Sequence, residues 1–316
     1  MIHHQTMEYT NPKIRYYRVR TFSEKLNITF DYLRENWRVI LRFSLYLLLP
    51  LCIFQAFALN SYVSTYMELM KDPDDAKDIV IRFALQGGTY ALFSMIGNMI
   101  LSSFIYGLMY VYNHRTERLT GLTFTEFKGT FLRFLGKCFR LALFYSAIMI
   151  LVGGLIGGLA AWSLWTLVVT LLLFAVGILI VISPIMLFTP MYLFEDRPFF
   201  ETLQRAFRYG MSFWFEIFGI LFIFGLIGGI ISTLTNLPWY MVFVVSQLFT
   251  LTSPESGIDQ SLGYQLLIYV LGIIQSYGYY IAQIVGVVGL AFEYFHIREK
   301  REGVTVESEI SNFANL

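Results

Sequence analysis

Residues Leu141–Phe194 read LALFYSAIMILVGGLIGGLAAWSLWTLVVTLLLFAVGILIVISPIMLFTPMYLF, without one charged side chain. A helix needs about 20 consecutive apolar residues to cross a bilayer. This stretch is long enough for two such helices, joined by a tight turn at Ala160-Ala161-Trp162-Ser163. Four other charge-free runs flank it: Phe43–Met67, Phe83–His114, Ile217–Pro254 and Gln260–Phe292. Together they predict six transmembrane helices, near 39–60, 83–112, 139–160, 163–191, 215–235 and 264–294. Asn236-Leu237-Pro238 is predicted to end the fifth, because proline lacks the amide a helix interior needs. Residues 239–251 would then lie in the interface or re-enter the membrane.

Composition agrees with a membrane class. The 316 residues are 56% hydrophobic and 14% charged, against the roughly 25% charged of soluble domains. A net charge of +1 gives no electrostatic footprint for nucleic acid, and so much apolar sequence excludes a disordered chain. Two cysteines and four scattered histidines offer neither a disulfide framework nor a zinc site. Cys52 and Cys138 read as small buried apolar residues. The first 37 residues are polar and basic, with no apolar region of a cleavable signal peptide.

Lys and Arg set the expected orientation. Twenty of the 23 fall in the N-terminal segment, the connections after the second and fourth spans, and the C-terminal tail. The other side holds only Lys71, Lys77 and Arg82, against Glu68, Asp72, Asp74, Asp75, Asp78, Glu255 and Asp259. The positive-inside rule therefore places both termini in the cytoplasm.

An internal repeat organises the chain. With a shift of 102 positions, Thr21, Phe22, Glu24, Tyr32, Leu33, Trp37 and Arg38 meet Thr123, Phe124, Glu126, Phe134, Leu135, Phe139 and Arg140. With a shift of 177, Phe22, Glu24, Leu26, Phe30, Tyr32 and Trp37 meet Phe199, Glu201, Leu203, Phe207, Tyr209 and Trp214. Thr21-Phe-Ser-Glu24 and Thr123-Phe-Thr-Glu126 are capping boxes; in the third copy Pro198 replaces Thr, with Asp196 as the candidate cap. The fold class is thus an all-α integral membrane protein of six transmembrane helices in three parallel repeats, each an amphipathic elbow helix plus a hairpin. The units are a basic tail over 1–20, repeats over 21–112, 113–197 and 198–297, and a tail over 298–316. A pseudo-threefold bundle is the architecture this implies.

Candidate site residues are basic. Arg34, Arg38 and Arg42 recur every four residues into the first span, echoed by Arg133, Lys137 and Arg140; Arg205 and Arg208 stand in the third copy. They read either as contacts for anionic headgroups or a protein partner, or as ordinary positive-inside anchors. Glu24, Glu126 and Glu201 read as caps, and Glu216 as an interfacial carboxylate paired with Arg205 or Arg208, or as a coupling group. Asn98, Gln275, Ser276 and Gln283, with Tyr277, Tyr279 and Tyr280, read as interhelical hydrogen-bonding groups or as the lining of a solute path. Gly153-Gly154, Gly157-Gly158, Gly225 and Gly229 read as close-packing faces, and Ser183-Pro184 and Thr189-Pro190 predict a kink. No HExxH, GxSxG, phosphate loop or His/Asp cluster is present, so no enzyme and no cofactor are expected.

The segment Pro190-Met-Tyr-Leu-Phe-Glu-Asp-Arg-Pro-Phe-Phe-Glu-Thr-Leu-Gln-Arg-Ala-Phe-Arg-Tyr-Gly, followed by Trp214, resembles a bacterial membrane family. The family includes the membrane domain attached to some glycerophosphodiester phosphodiesterases and stand-alone six-span relatives. Phe22-Ser-Glu-Lys-Leu-Asn-Ile-Thr-Phe looks like the family's N-terminus. The resemblance implies a bacterial cytoplasmic-membrane protein without catalytic function, since this chain carries no phosphodiesterase domain. Two functions are therefore expected: binding of lipid headgroups or a protein partner at the cytoplasmic elbows, or alternatively a permease or channel for a neutral or lipidic solute. The phospholipid bilayer is its first partner, and nucleic acid is not one.

Overall fold

A computed structural model describes residues 12–71, 76–160, 164–252 and 261–305. Their elements are helices: α1 (Phe22–Lys71), α2 (Ala76–His114), α3 (Phe124–Ala160), α4 (Leu164–Phe194), α5 (Phe199–Ser212), α6 (Trp214–Thr252) and α7 (Leu262–Glu302). All but α5 are long and apolar enough to cross a membrane, which defines a multi-pass membrane protein. The turn expected at Ala160–Ser163 falls largely outside the described residues.

The helix starts follow local chemistry. At α1 the Thr21 amide donates to Glu24 Oε2 (2.7 Å) and the Glu24 amide to Thr21 Oγ1 (3.4 Å), a reciprocal capping box. At α3 the Glu126 amide donates to Thr123 Oγ1 at 3.5 Å, while the Glu126 carboxylate accepts from Arg115 at 3.1 Å. At α5 the expected cap is absent: Pro198 occupies the N-cap position with no side-chain cap bond. Asp196 is drawn away by Arg133, whose charge outweighs an amide donor. Helix α7 starts at Ser261, whose side chain accepts from the Tyr264 amide, and stops at Gly303, in the left-handed region at φ 59°.

Two expectations about helix boundaries are corrected. Residues 239–251 are not a separate segment, because α6 continues unbroken through Pro238 to Thr252. Ending the helix there would strand several backbone groups in hydrocarbon, whereas Pro238 removes one donor only. Thr235, in the same turn, bonds back to the Ile231 and Ser232 carbonyls (3.2 and 3.0 Å). The amphipathic segments of the first two copies also run without a break into their spans, as α1 and α3. Only the third copy is a separate helix, α5, divided from α6 at Phe213.

Packing is centred on α7, which lies against α1, α2, α4 and α6. Its most apolar window is 78% buried, against 11% in α3 and 22% in α4. The three hairpins are therefore unequally placed, and the α3–α4 hairpin is peripheral. Between Leu141 and Ser183 none of the described side chains is buried.

The glycine faces read as packing surfaces also differ. A Cβ added at Gly153, Gly154, Gly157, Gly158, Gly225 or Gly229 would meet nothing within 4 Å among the described residues. Close approach occurs instead at Gly97, where a Cβ would collide with Tyr280 Oη, and at Gly210, where it would collide with Pro184 Cα. The second contact seats α5 against α4, which runs unbroken through Pro184 and Pro190.

Candidate functional site

The basic residues gather at one end of the bundle, and the structure divides them into two kinds. On α1, Arg34, Arg38 and Arg42 are all exposed. Arg42 donates to the Leu122 carbonyl (2.7 Å), Arg38 lies over the Trp37 ring, and Arg34 has no partner among the described residues. The same face continues along the helix through exposed Leu45, Leu49 and Ile53. The basic stripe is thus the foot of an apolar stripe that faces outward from the bundle.

The second kind is consumed internally. Arg133 grips both oxygens of Asp196 (2.7 and 2.9 Å), and Lys137 donates to the carbonyls of Tyr192, Leu193 and Glu195 (3.2, 3.1 and 3.2 Å). Lys137 thereby satisfies the orphan carbonyls at the end of α4. The bond from Arg133 holds the Asp196 carboxyl below the usual carboxylate range. Arg140 donates to Tyr192 Oη at 3.2 Å, and Arg205 pairs with Glu302. Arg208 is exposed and unpaired among the described residues.

Glu216 does not pair with Arg205 or Arg208. It lies 3.4 Å from Lys25, 2.9 Å from Lys300 and 3.2 Å from His296 Nε2. His296 Nδ1 accepts from the Arg20 amide at 3.0 Å. A neutral imidazole with Nδ1 as acceptor carries its proton on Nε2, aimed at Glu216. Chain geometry explains the change of partners: α5 turns Arg205 toward the end of α7, while Glu216 at the start of α6 faces the start of α1.

Two fully enclosed carboxylates were not singled out from the sequence. Glu293 is 0% exposed and lies 2.8 Å from Lys25, itself 3% exposed. Glu195 is 3% exposed; it accepts from Tyr294 Oη (3.1 Å), lies 3.3 Å from Arg197 and is approached by Arg205 and Arg298. Their signal was present: each follows a phenylalanine that closes a charge-free run, Phe194-Glu195 and Phe292-Glu293.

The N-terminal segment of residues 12–20 is locked over this cluster. Lys13 donates to the Asn113 and Arg115 carbonyls at the end of α2 (2.8 and 3.0 Å), and Tyr16 stacks on Tyr112 with centroids 5.8 Å apart. Burial lowers the Arg20 guanidinium to about 10, still charged at neutral pH. Its side chain is anchored by the Tyr16 carbonyl at 2.8 Å.

In the membrane interior, Tyr280 donates to Gln55 Oε1 (2.8 Å), Gln55 donates to Ser94 (3.0 Å), and Tyr277 meets Ser44 (2.7 Å). Asn98 instead bonds to Ser94 of its own helix, and Gln283 is exposed. Chemically, the basic end combines a rigid, self-neutralised ionic core with a few unspent guanidinium groups at its edge. Comparison with known protein families, with curated proteins and with solved structures gives no match.

Proposed function

We propose that this chain is a non-enzymatic, six-span protein of a bacterial cytoplasmic membrane that binds anionic phospholipid headgroups at its cytoplasmic edge. In this reading both termini are cytoplasmic, and three duplicated units, each an amphipathic helix with a hairpin, gave rise to the chain. It is kin to the membrane domains attached to glycerophosphodiester phosphodiesterases. One observation carries the lipid reading: exposed Arg34, Arg38 and Arg42 stand directly below exposed Leu45, Leu49 and Ile53 on α1. A phospholipid whose chains lie on that apolar stripe has its phosphate at the level of the three arginines, and each surface cation contributes about 1 kcal/mol to an anionic membrane. Arg133, Lys137 and Arg205 contribute less, because their charge is already matched.

The test is native mass spectrometry of the protein released from nanodiscs of mixed phosphatidylglycerol and phosphatidylcholine. Retention of phosphatidylglycerol that falls severalfold in Arg34→Ala/Arg38→Ala/Arg42→Ala supports the proposal. Equal retention by the variant overturns it, and co-purification of a stoichiometric protein lost in the same variant assigns the stripe to a protein partner.

A further inference from the structure

At the end of the bundle opposite the basic cluster, α1, α6 and α7 line a half-open pocket of about 520 Å³. Its size falls within the roughly 300–1,000 Å³ range of small-molecule sites. Three carboxamides reach it from three different helices: Asn60 from α1, Gln247 from α6 and Gln265 from α7. Asn60 is committed on one side, its Oδ1 accepting from Trp239 Nε1 at 3.0 Å. Gln247 and Gln265 have no side-chain hydrogen bond among the described residues. Ser64 adds a hydroxyl, and the wall is the Trp239–Phe243 pair, stacked at 5.4 Å with planes 2° apart.

The charge of the lining decides the ligand class. Among the described residues no lysine, arginine or histidine lines the pocket, so none of them compensates an anion there. The carboxylate among the described lining residues, Glu68, is already paired with Arg82 at 2.8 Å, so a cation gains little from it. Carboxamides and hydroxyls both donate and accept, and the groups that match them on every side are hydroxyls. The aromatic wall suits the C–H face of the same molecule.

We infer that this pocket binds an uncharged, hydroxyl-rich group with the chemistry of glycerol or a sugar, carried by a free solute or by a lipid headgroup. The site is remote from Arg34, Arg38 and Arg42, so its failure and the failure of the headgroup proposal are separate results.

The experiment uses the full chain in phosphatidylcholine nanodiscs. One arm follows saturation-transfer NMR with glycerol and methyl glucoside; the other follows native mass spectrometry after doping with monoglucosyl diacylglycerol. Binding in the first arm identifies a free solute, and binding in the second alone identifies a lipid headgroup. Either signal weakens about tenfold in Gln247→Leu and in Gln265→Leu, the effect of one lost hydrogen bond. Gln247→Asn, which keeps the amide, restores part of it and controls for misfolding. Absence of binding in both arms, or binding indifferent to both leucine variants, overturns the inference.

Discussion

Lys25 Nζ lies 2.8 Å from Glu293 Oε2, with both side chains shut away from the surface. The contact ties the first turn of α1 to the last third of α7 across almost the whole chain. A buried pair contributes little net stability, yet removing one partner leaves an uncompensated charge, at about 3–5 kcal/mol. Lys25→Met, which strands Glu293, is therefore expected to lower the denaturation midpoint of the protein in nanodiscs sharply, and Glu293→Gln less so, because Lys25 keeps Glu216 at 3.4 Å. The double variant should recover much of the loss. A double variant as damaged as the sum of the singles would show that the two side chains act independently.

Thr21 and Glu24 close the capping box of α1, and the expected cost of Thr21→Ala is about 1 kcal/mol. Thr123→Ala should cost less. Its Oγ1 bond to the Glu126 amide (3.5 Å) is much like that at Thr21 (3.4 Å), but the Glu126 carboxylate is turned to Arg115, whereas Glu24 accepts from both the Thr21 amide and hydroxyl. Unfolding of the two variants in parallel, followed by circular dichroism, gives the comparison; equal losses would refute the difference in cap quality.

The Asp196 carboxyl ionises more readily in the folded protein because Arg133 hydrogen-bonds its charged form. A folded value below the unfolded 3.8 means that the stabilisation is complete above about pH 4. It is lost as pH falls through the lower folded value. Both side chains are largely exposed (48% and 72%), so solvent screening limits the effect to less than about 1 kcal/mol. Melting curves of the protein and of Asp196→Asn should differ at pH 7 and converge only once the pH is below the lowered folded value. A gap that persists in acid would place the effect elsewhere.

Much of the fold was legible because charge-free runs and capping boxes are local. The six spans could be read from where charge stops, and Thr21 caps α1 with the Glu three residues on. What resisted reading depends on which distant residues meet. Pro238 looked like a terminator, but in an apolar setting the helix keeps its remaining bonds. Asp196 looked like a cap until α3 brought Arg133 to it. The three segments aligned in the sequence share a residue pattern, yet α7 is buried and the α3–α4 hairpin exposed, an asymmetry that no one of those segments encodes. At the basic end, spacing grouped Arg34, Arg38 and Arg42 correctly on one exposed face of α1. It could not show that Lys137 and Arg205 are spent on internal partners, nor that Glu293 and Glu195 lie at the centre of the cluster.

Glycine spacing misled for the same reason, and this gives a sharp test. Gly97 has Tyr280 directly against it, with Tyr280 Oη at the place of a Cβ and engaged with Gln55. In Gly97→Ala the methyl group must push Tyr280 aside and break that bond, so a loss of about 1–3 kcal/mol is expected. Gly154 lies in the more conspicuous glycine motif, but a Cβ there meets nothing within 4 Å among the described residues. Gly154→Ala should be neutral or slightly stabilising, as alanine in an open helix position is by about 0.5–1 kcal/mol. Adding Tyr280→Phe to Gly97→Ala should recover little, since the ring carbons Cζ and Cε1 of residue 280 also lie against the place of the Cβ. Thermal unfolding in a single detergent ranks the three variants. Equal behaviour of Gly97→Ala and Gly154→Ala would mean that the α2–α7 crossing is looser than the Gly97–Tyr280 contact requires.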